Sequence, residues 1–167
     1  MKLQPATDDD FRSVISWIPD GTACKLWAGP LVRFPLSLNN LKEKIQYQPE
    51  NTYSLKDGNG VLLGFGQILE KADSRIHLAR IIISPSHRHK GIGKQLCRLL
   101  MIVGRRQHGE CVFSLNVYAA NSAAIDLYQK LGFRQGIASL DFTPDEQVVY
   151  MVKASVETAS SQTDGRR

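Results

Sequence analysis

The stretch from Arg75 to Ala119 constrains the fold more than any other. "RIHLARIIIS" is a continuous apolar run of strand character. "GIGKQLCRLLMIVGRRQ" places Ile92, Leu96, Leu99, Leu100 and Val103 on one helical stripe, and "CVFSLNVYA" returns to strand character. Strand, helix and strand in that order form a crossover unit, and a helical crossover joins parallel neighbours of one sheet. The first and third segments are therefore expected to run parallel.

The flanking segments add antiparallel strands and further helices. "KLQPA" reads as a short first strand. "TDDDFRSVISWI" follows as a helix, with Thr7 as its cap, acidic residues in its first turn, and Phe11, Val14, Ile15 and Ile18 at helical spacing. "PDGTACKLWAGPLVRFPLSL" is punctuated by Pro and Gly, which predicts a loop with at most short helical pieces. "SLNNLKEKIQ" reads as a second short helix. "TYSLKD" and "VLLGFGQILEKAD" are strands around Asp57-Gly58-Asn59-Gly60, a strong hairpin signal. After the crossover, "NSAAIDLYQKLGF" is a helix capped by Asn121 and closed by Gly132, and "QVVYMVKA" is a last strand.

The order predicts an α/β chain of the α+β kind. A central, mostly antiparallel sheet contains one parallel pair and carries helices on both faces. One domain over residues 1–153 accounts for the whole pattern. The polar tail 154–167 is expected to be disordered.

Composition narrows the function classes. Hydrophobic residues make up 43% of the 167, enough for a core. No apolar run is long enough to span a bilayer, and the N-terminus has no apolar signal region, so no membrane role is expected. Cys24, Cys97 and Cys111 are odd in number and lack close pairing, which argues against a disulfide framework and against a zinc site. A reducing, cytoplasmic location is expected, and no metal.

Charge is unevenly placed. Between Ser74 and Gly109 there is no Asp or Glu, but there are eight Lys or Arg. Such a segment suits a polyanion, either nucleic acid or a phosphorylated cofactor, and otherwise reads as a solvated basic face. Within it, "SPSHRHKGIGKQL" places Gly91 and Gly93 between a strand and a helix. Free N–H groups and the positive end of the helix dipole meet there, and residues without a Cβ allow close approach of a phosphate. Arg88, Lys90 and Lys94 add charge. The segment is not a P-loop, since no GK[ST] follows a GxxxxG. Nor is it a dinucleotide fingerprint, since the third glycine is missing. Nucleic acid is not expected, because no aromatics are interleaved for base stacking.

Arg88-His89-Lys90-Gly91-Ile92-Gly93 resembles the Q/R-x-x-G-x-G/A signature of the GCN5-related N-acetyltransferase superfamily. Asn121, Ala124, Leu127, Tyr128, Gly132 and Phe133 resemble its N-x-x-A-x-x-L-Y-x-x-x-G-F segment. Both motifs fall in order on the expected elements, and the similarity runs from about Lys2 to Lys153. The resemblance implies an acetyl-CoA-dependent N-acetyltransferase acting on a primary amine of a small molecule or of a peptide or protein, as a monomer or homodimer. It implies that the strand "LARIII" splays from "SLNVY", that backbone groups of Ile81, Ile82 and Ile83 hold the pantetheine arm, and that the loop Arg88, His89, Lys90, Gly91, Ile92, Gly93 and Lys94 holds the diphosphate. Asn121 would also touch the cofactor.

The family also suggests catalytic roles. Tyr128 matches the tyrosine that protonates the leaving thiolate; by spacing alone it reads equally as core packing. For the general base, N-terminal acetyltransferases often have a glutamate where this chain has Asn116. Histone-acetylating relatives have one fourteen residues before the first motif glycine, where this chain has His77. His77, Glu70 and a water relay are the candidates. Trp17, Trp27 and Phe34, with the loop Asp141–Glu146, would face the substrate or else pack an irregular segment. A catalytically silent acyl-CoA sensor with the same fold is the alternative; it would keep the glycines without needing Tyr128.

Overall fold

The computed structural model describes residues 1–71, 74–137 and 147–154. The proposed disordered tail, from residue 155 on, and the loop Asp141–Glu146 lie outside the described residues. Among the described residues the strands are β1 (Lys2–Pro5), β2 (Thr52–Lys56), β3 (Leu62–Lys71), β4 (Arg75–Ile83), β5 (Val112–Tyr118), β6 (Arg134–Gln135) and β7 (Val148–Lys153). The helices are α1 (Asp8–Ser16), α2 (Gly21–Ala28), α3 (Leu38–Lys44), α4 (Ile92–His108) and α5 (Ser122–Lys130). The strands form one sheet in the order β1-β2-β3-β4-β5-β7-β6. All neighbours are antiparallel except β4 and β5. The mixed sheet and its one parallel pair are as the sequence implies.

Two apolar clusters lie on opposite faces. One joins α4 and α5 to the sheet through Leu96, Leu100, Ile76, Leu78, Phe113 and Leu115. The buried positions of α4, Ile92, Leu96, Cys97, Leu100 and Met101, follow the helical period and face the strands. The other cluster joins α1, α2 and α3 to β3 through Phe11, Val14, Cys24, Leu41, Ile45 and Phe65. Phe11 meets Phe65 and Tyr47 edge-on, with ring centroids 5.2 Å apart in each pair.

Within the segment where the Pro and Gly residues predict a loop with at most short helical pieces, the structure forms the eight-residue helix α2. Asp20 accepts from the Ala23 N–H at 2.8 Å, and Cys24 and Ala28 are buried one turn apart. Pro19 and Gly29 stand just outside the helix, so the breakers mark its ends rather than interrupt it. The two-residue β6 has no counterpart in the sequence reading. It pairs Arg134 with Val152 and Gln135 with Met151.

The capping box of α1 places Asp10 inside the protein. Thr7 and Asp10 bond each other's backbone N–H, at 3.4 and 3.0 Å, and Asp10 Oδ1 lies 2.8 Å from Lys56 Nζ. Burial pushes the Asp10 carboxyl up, but Lys56 and the Thr7 N–H outweigh it and hold it below its ordinary value. Lys56→Met strands a buried carboxylate and should cost about 3–5 kcal/mol. Denaturant titration at pH 7 measures it. The part of the stability that comes from the depressed Asp10 pKa is present above about pH 4 and disappears as pH falls through the folded value.

Candidate active site

The parallel pair does not run the length of its strands. Arg75 to Leu78 pair with Val112 to Leu115, and there the ladder ends. Beyond it β4 continues against β3 alone, with Ile82 opposite Phe65 and Ile83 opposite Gly64. β5 continues against β7 alone. The Ser84 N–H donates to the Leu63 carbonyl at 2.9 Å. By antiparallel alternation, the polar groups of Ile83 then point away from β3, toward the gap. Arg88 Nε approaches the Ile83 carbonyl at 3.3 Å from that side.

The register of β3 and β4 shifts between Phe65 and Gln67, and Arg80 at this bulge has φ +52°. Trp27 Nε1 donates to the Arg80 carbonyl at 2.8 Å, which ties α2 to the bulge. A narrow cavity opens where the strands part. It is lined by Leu26 and Trp27 of α2, Leu78, Arg80 and Ile81 of β4, Asn116, Val117 and Tyr118 of β5, and Asn121, Ala124 and Tyr128 at α5.

Tyr128 is almost wholly buried, edge-on to Phe133. Its hydroxyl makes no hydrogen bond among the described residues. Burial, then the neighbouring Cys97 sulfur, pushes the phenol well above its ordinary pKa, so it holds its proton throughout the neutral range. Asn121 caps α5, its Oδ1 accepting from the Ala124 N–H at 3.2 Å, and lines the same cavity.

The glycine loop lies at the C-terminal end of β4. Gly91 is the N-cap of α4 with φ +77°, and no side chain caps the helix. A Cβ at Gly91 would meet nothing within 4 Å, so the backbone is open on that side. Ile92 buries its side chain and offers only its N–H. Gly93 also serves packing. A Cβ there would come within 3.2 Å of Leu127, so its bareness lets α4 and α5 approach. His89 also adopts left-handed backbone, φ +61°, and Lys90 Nζ ties back to the Ser86 carbonyl at 3.0 Å. The arrangement of free N–H groups, exposed Arg88 and Lys90 and an open Gly91 suits an anion with several oxygens.

The sequence model of the acetyltransferase (GNAT) family matches residues 22–133. The chain belongs to this family. Its fold is also that of solved acetyltransferases at low identity. A spermidine N-acetyltransferase from Vibrio cholerae, in complex with CoA and spermine, superposes with TM-score 0.71 at 18% identity, over 91% of this chain and 94% of that one. A ribosomal-protein-alanine N-acetyltransferase from Brucella melitensis gives 0.68 at 18% identity, over 93% and 100%. The ribosomal-protein-S18-alanine N-acetyltransferase from Escherichia coli gives 0.62 at 17% identity, over 90% and 91%.

Within this GNAT fold the other candidates separate. His77 does not line the cavity; its Nδ1 lies 3.0 Å from the Ser114 hydroxyl on the neighbouring strand. Glu70 is exposed, near the far end of β3, 3.7 Å from His108 at the end of α4. Trp27 lines the cavity, whereas Trp17 packs against the α1–α3 cluster and Phe34 is 45% exposed. Arg80 does not stand out in the sequence, where it is one cation among eight. Its bulge cannot be read from "LARIII". Among the described residues no cluster of three or more His, Cys, Asp or Glu could hold a metal, and no helix is long and apolar enough to cross a membrane.

His77 gives a direct test of this geometry. Burial first, and then the positive charges of Lys71, Arg80 and Arg75, push its pKa down to about 4. Its imidazole resonances should titrate near that value by NMR, and a midpoint near the ordinary 6.5 would show it solvated. Because the folded pKa is lowered, the unfolded chain binds the proton first as pH falls. His77 therefore lowers stability from about pH 6.5 down to about 4, and His77→Gln should remove that slope.

Proposed function

We propose that this chain transfers an acetyl group from acetyl-CoA to a primary amine of a small molecule or peptide, by direct attack within a ternary complex. The observation that carries this reading is Tyr128. It is a protonated phenol without a hydrogen-bond partner among the described residues, at the cavity where β4 and β5 part. The hydroxyl has no partner among the described residues and is not sealed from solvent, so it is presented to the cavity, where a phenylalanine would serve packing equally well. Its position beside the gap favours a transferase over a silent acyl-CoA sensor.

The residues present fit the cosubstrate. The N–H groups at the start of α4, with Arg88, His89, Lys90 and Lys94 around the open Gly91, would hold the diphosphate. The free edge of β4 at Ile81–Ile83 would hold the pantetheine arm by backbone bonds, with Asn121 on the opposite wall. Acetyl-CoA supplies an acyl carbon activated as a thioester. The chain supplies alignment, a backbone N–H near the bulge for the carbonyl oxygen, and a proton.

Tyr128 donates its hydrogen bond to the sulfur as charge develops there. The amine nitrogen forms its bond to the acyl carbon, the carbon–sulfur bond breaks, and the proton of Tyr128 goes to the sulfur. Solvent restores the phenol proton. The raised phenol pKa keeps this proton on Tyr128 before the reaction, available to the sulfur as charge develops there. The amine gives up its own proton to water. No carboxylate is among the described residues lining the cavity, and His77 is both outside the lining and too weak a base to take a proton from an ammonium group.

Two substitutions test the reading. Gly91→Asp adds a carboxylate where the diphosphate would sit, with no steric obstacle within 4 Å. Asp tolerates left-handed backbone better than most residues and caps helices well, so melting should change little. Acetyl-CoA affinity by calorimetry should fall by at least about 100-fold, the equivalent of losing two charge-assisted hydrogen bonds. Unchanged affinity would move the diphosphate elsewhere. Tyr128→Phe keeps the ring and removes only the hydroxyl. Turnover should fall by roughly 10²- to 10⁴-fold while acetyl-CoA affinity and melting temperature stay near wild type. Wild-type turnover in this variant would leave water as the proton donor.

A further inference from the structure

The cavity has one charge that nothing in the described structure answers. Arg80 Nη1 donates to Gln67 Oε1 at 2.7 Å, and the Gln67 amide donates in turn to Thr52 Oγ1 at 2.8 Å. Arg80 Nε is buried and has no acceptor. No Asp or Glu among the described residues pairs with Arg80, and none lines the cavity. Burial lowers the guanidinium pKa, and a guanidinium is cationic in proteins throughout the physiological range. Arg80 is half-buried, and its guanidinium is paired with a neutral amide rather than a carboxylate. The residue also occupies left-handed backbone, φ +52°, which is uncommon outside glycine.

The two faces of the sheet give this charge a direction. Gln67 also reaches the Ile45 carbonyl, at the end of α3, so Gln67 and the Arg80 guanidinium lie on the α1–α3 face. Tyr128 belongs to the cluster on the opposite face, with α4 and α5. The cavity therefore passes between the splayed strands, with the thiolate's proton donor on one side and Arg80 on the other. An amine that reaches the cavity from the α1–α3 side passes Arg80. Leu26, 52% exposed, and Trp27 form an apolar wall beside it.

We propose that Arg80 binds a carboxylate carried by the acceptor. The substrate class is then an amino-acid-like amine, with an apolar body and a carboxylate close to the amine, and not a polyamine. This rests on the transferase reading above. The guanidinium forms charge-assisted bonds to the carboxylate through the Nη N–H groups that Gln67 does not engage. The same charge repels a second ammonium group.

The experiment compares phenylalanine, phenylalaninamide and spermidine as acceptors by thiol release. A second measurement follows 3-phenylpropionate, which lacks the amine, binding to CoA-saturated protein by calorimetry. Phenylalanine should exceed phenylalaninamide in kcat/KM by about 10- to 100-fold, the value of one or two hydrogen bonds to a charge, and spermidine should be poorest. Arg80→Gln should reduce that ratio to near one and weaken 3-phenylpropionate at least about 10-fold, with Arg80→Lys in between. Equal use of phenylalanine and its amide, a preference for spermidine, or 3-phenylpropionate affinity indifferent to Arg80→Gln would each overturn the proposal. If Arg80→Gln does not fold, the wild-type comparison of acid with amide decides. Absence of thiol release with any of the three amines, alongside Arg80-dependent binding of 3-phenylpropionate, would keep the anion site and remove the transferase reading. Amines acetylated without regard to a carboxylate would do the reverse.

Discussion

The broken ladder between β4 and β5 is the constraint on which the rest of the site depends. Four residue pairs hold the strands parallel from Arg75 to Leu78, and then pairing stops. Each strand keeps its outer neighbour, so neither frays. The inner edges are left with backbone N–H and C=O groups that need partners. Some partners come from within: Trp27 supplies one at Arg80 and Arg88 another at Ile83. The edge that remains is a ready binding surface for an extended ligand with amide groups. The split in the sheet, the bulge at Arg80 and the placing of α2 are parts of one arrangement.

Much of this is legible in the sequence, for identifiable reasons. The crossover from β4 through α4 to β5 follows from uninterrupted apolar strands around a helical stripe. The hairpin at Asp57–Gly60 follows from turn chemistry: the Asp57 carboxylate accepts from the N–H groups of Asn59 and Val61 at 2.8 and 2.9 Å. The two motifs locate the loop at Gly91 and the helix of Tyr128. Three features are not legible. α2 is hidden because Pro19 and Gly29 look the same whether they interrupt a helix or bound it. Gly93 carries the same signature as Gly91 but gives its space to Leu127, a contact between helices distant in sequence. Arg80 sits in an apolar run, and only the bulge, a tertiary event, turns it toward Gln67.

The candidate base shows where sequence position and structural position part. His77 stands at the expected spacing from Gly91, yet its side chain is bonded across to Ser114 and outside the cavity lining. Burial, and then three nearby cations, depress its pKa. A residue at a motif position inherits the backbone place of its counterpart but not its electrostatic surroundings. Here the charges that act on it are those of Lys71, Arg75 and Arg80. The acidic residues near the N-terminus are engaged elsewhere: Asp8 with Lys42, Asp9 with Arg12 and Asp10 with Lys56.

The three cysteines have a consequence for how such a protein reports on itself. Cys24, Cys97 and Cys111 are all free and all buried, and burial raises each thiol's pKa, that of Cys97 to about 12. A thiolate is the species that reacts with disulfide reagents. The intact protein is therefore nearly silent to such a reagent, so a thiol released from a cosubstrate would be read against a low background. Unfolding exposes all three cysteines together, so the same reagent, used without acceptor, counts the molecules that have lost their fold.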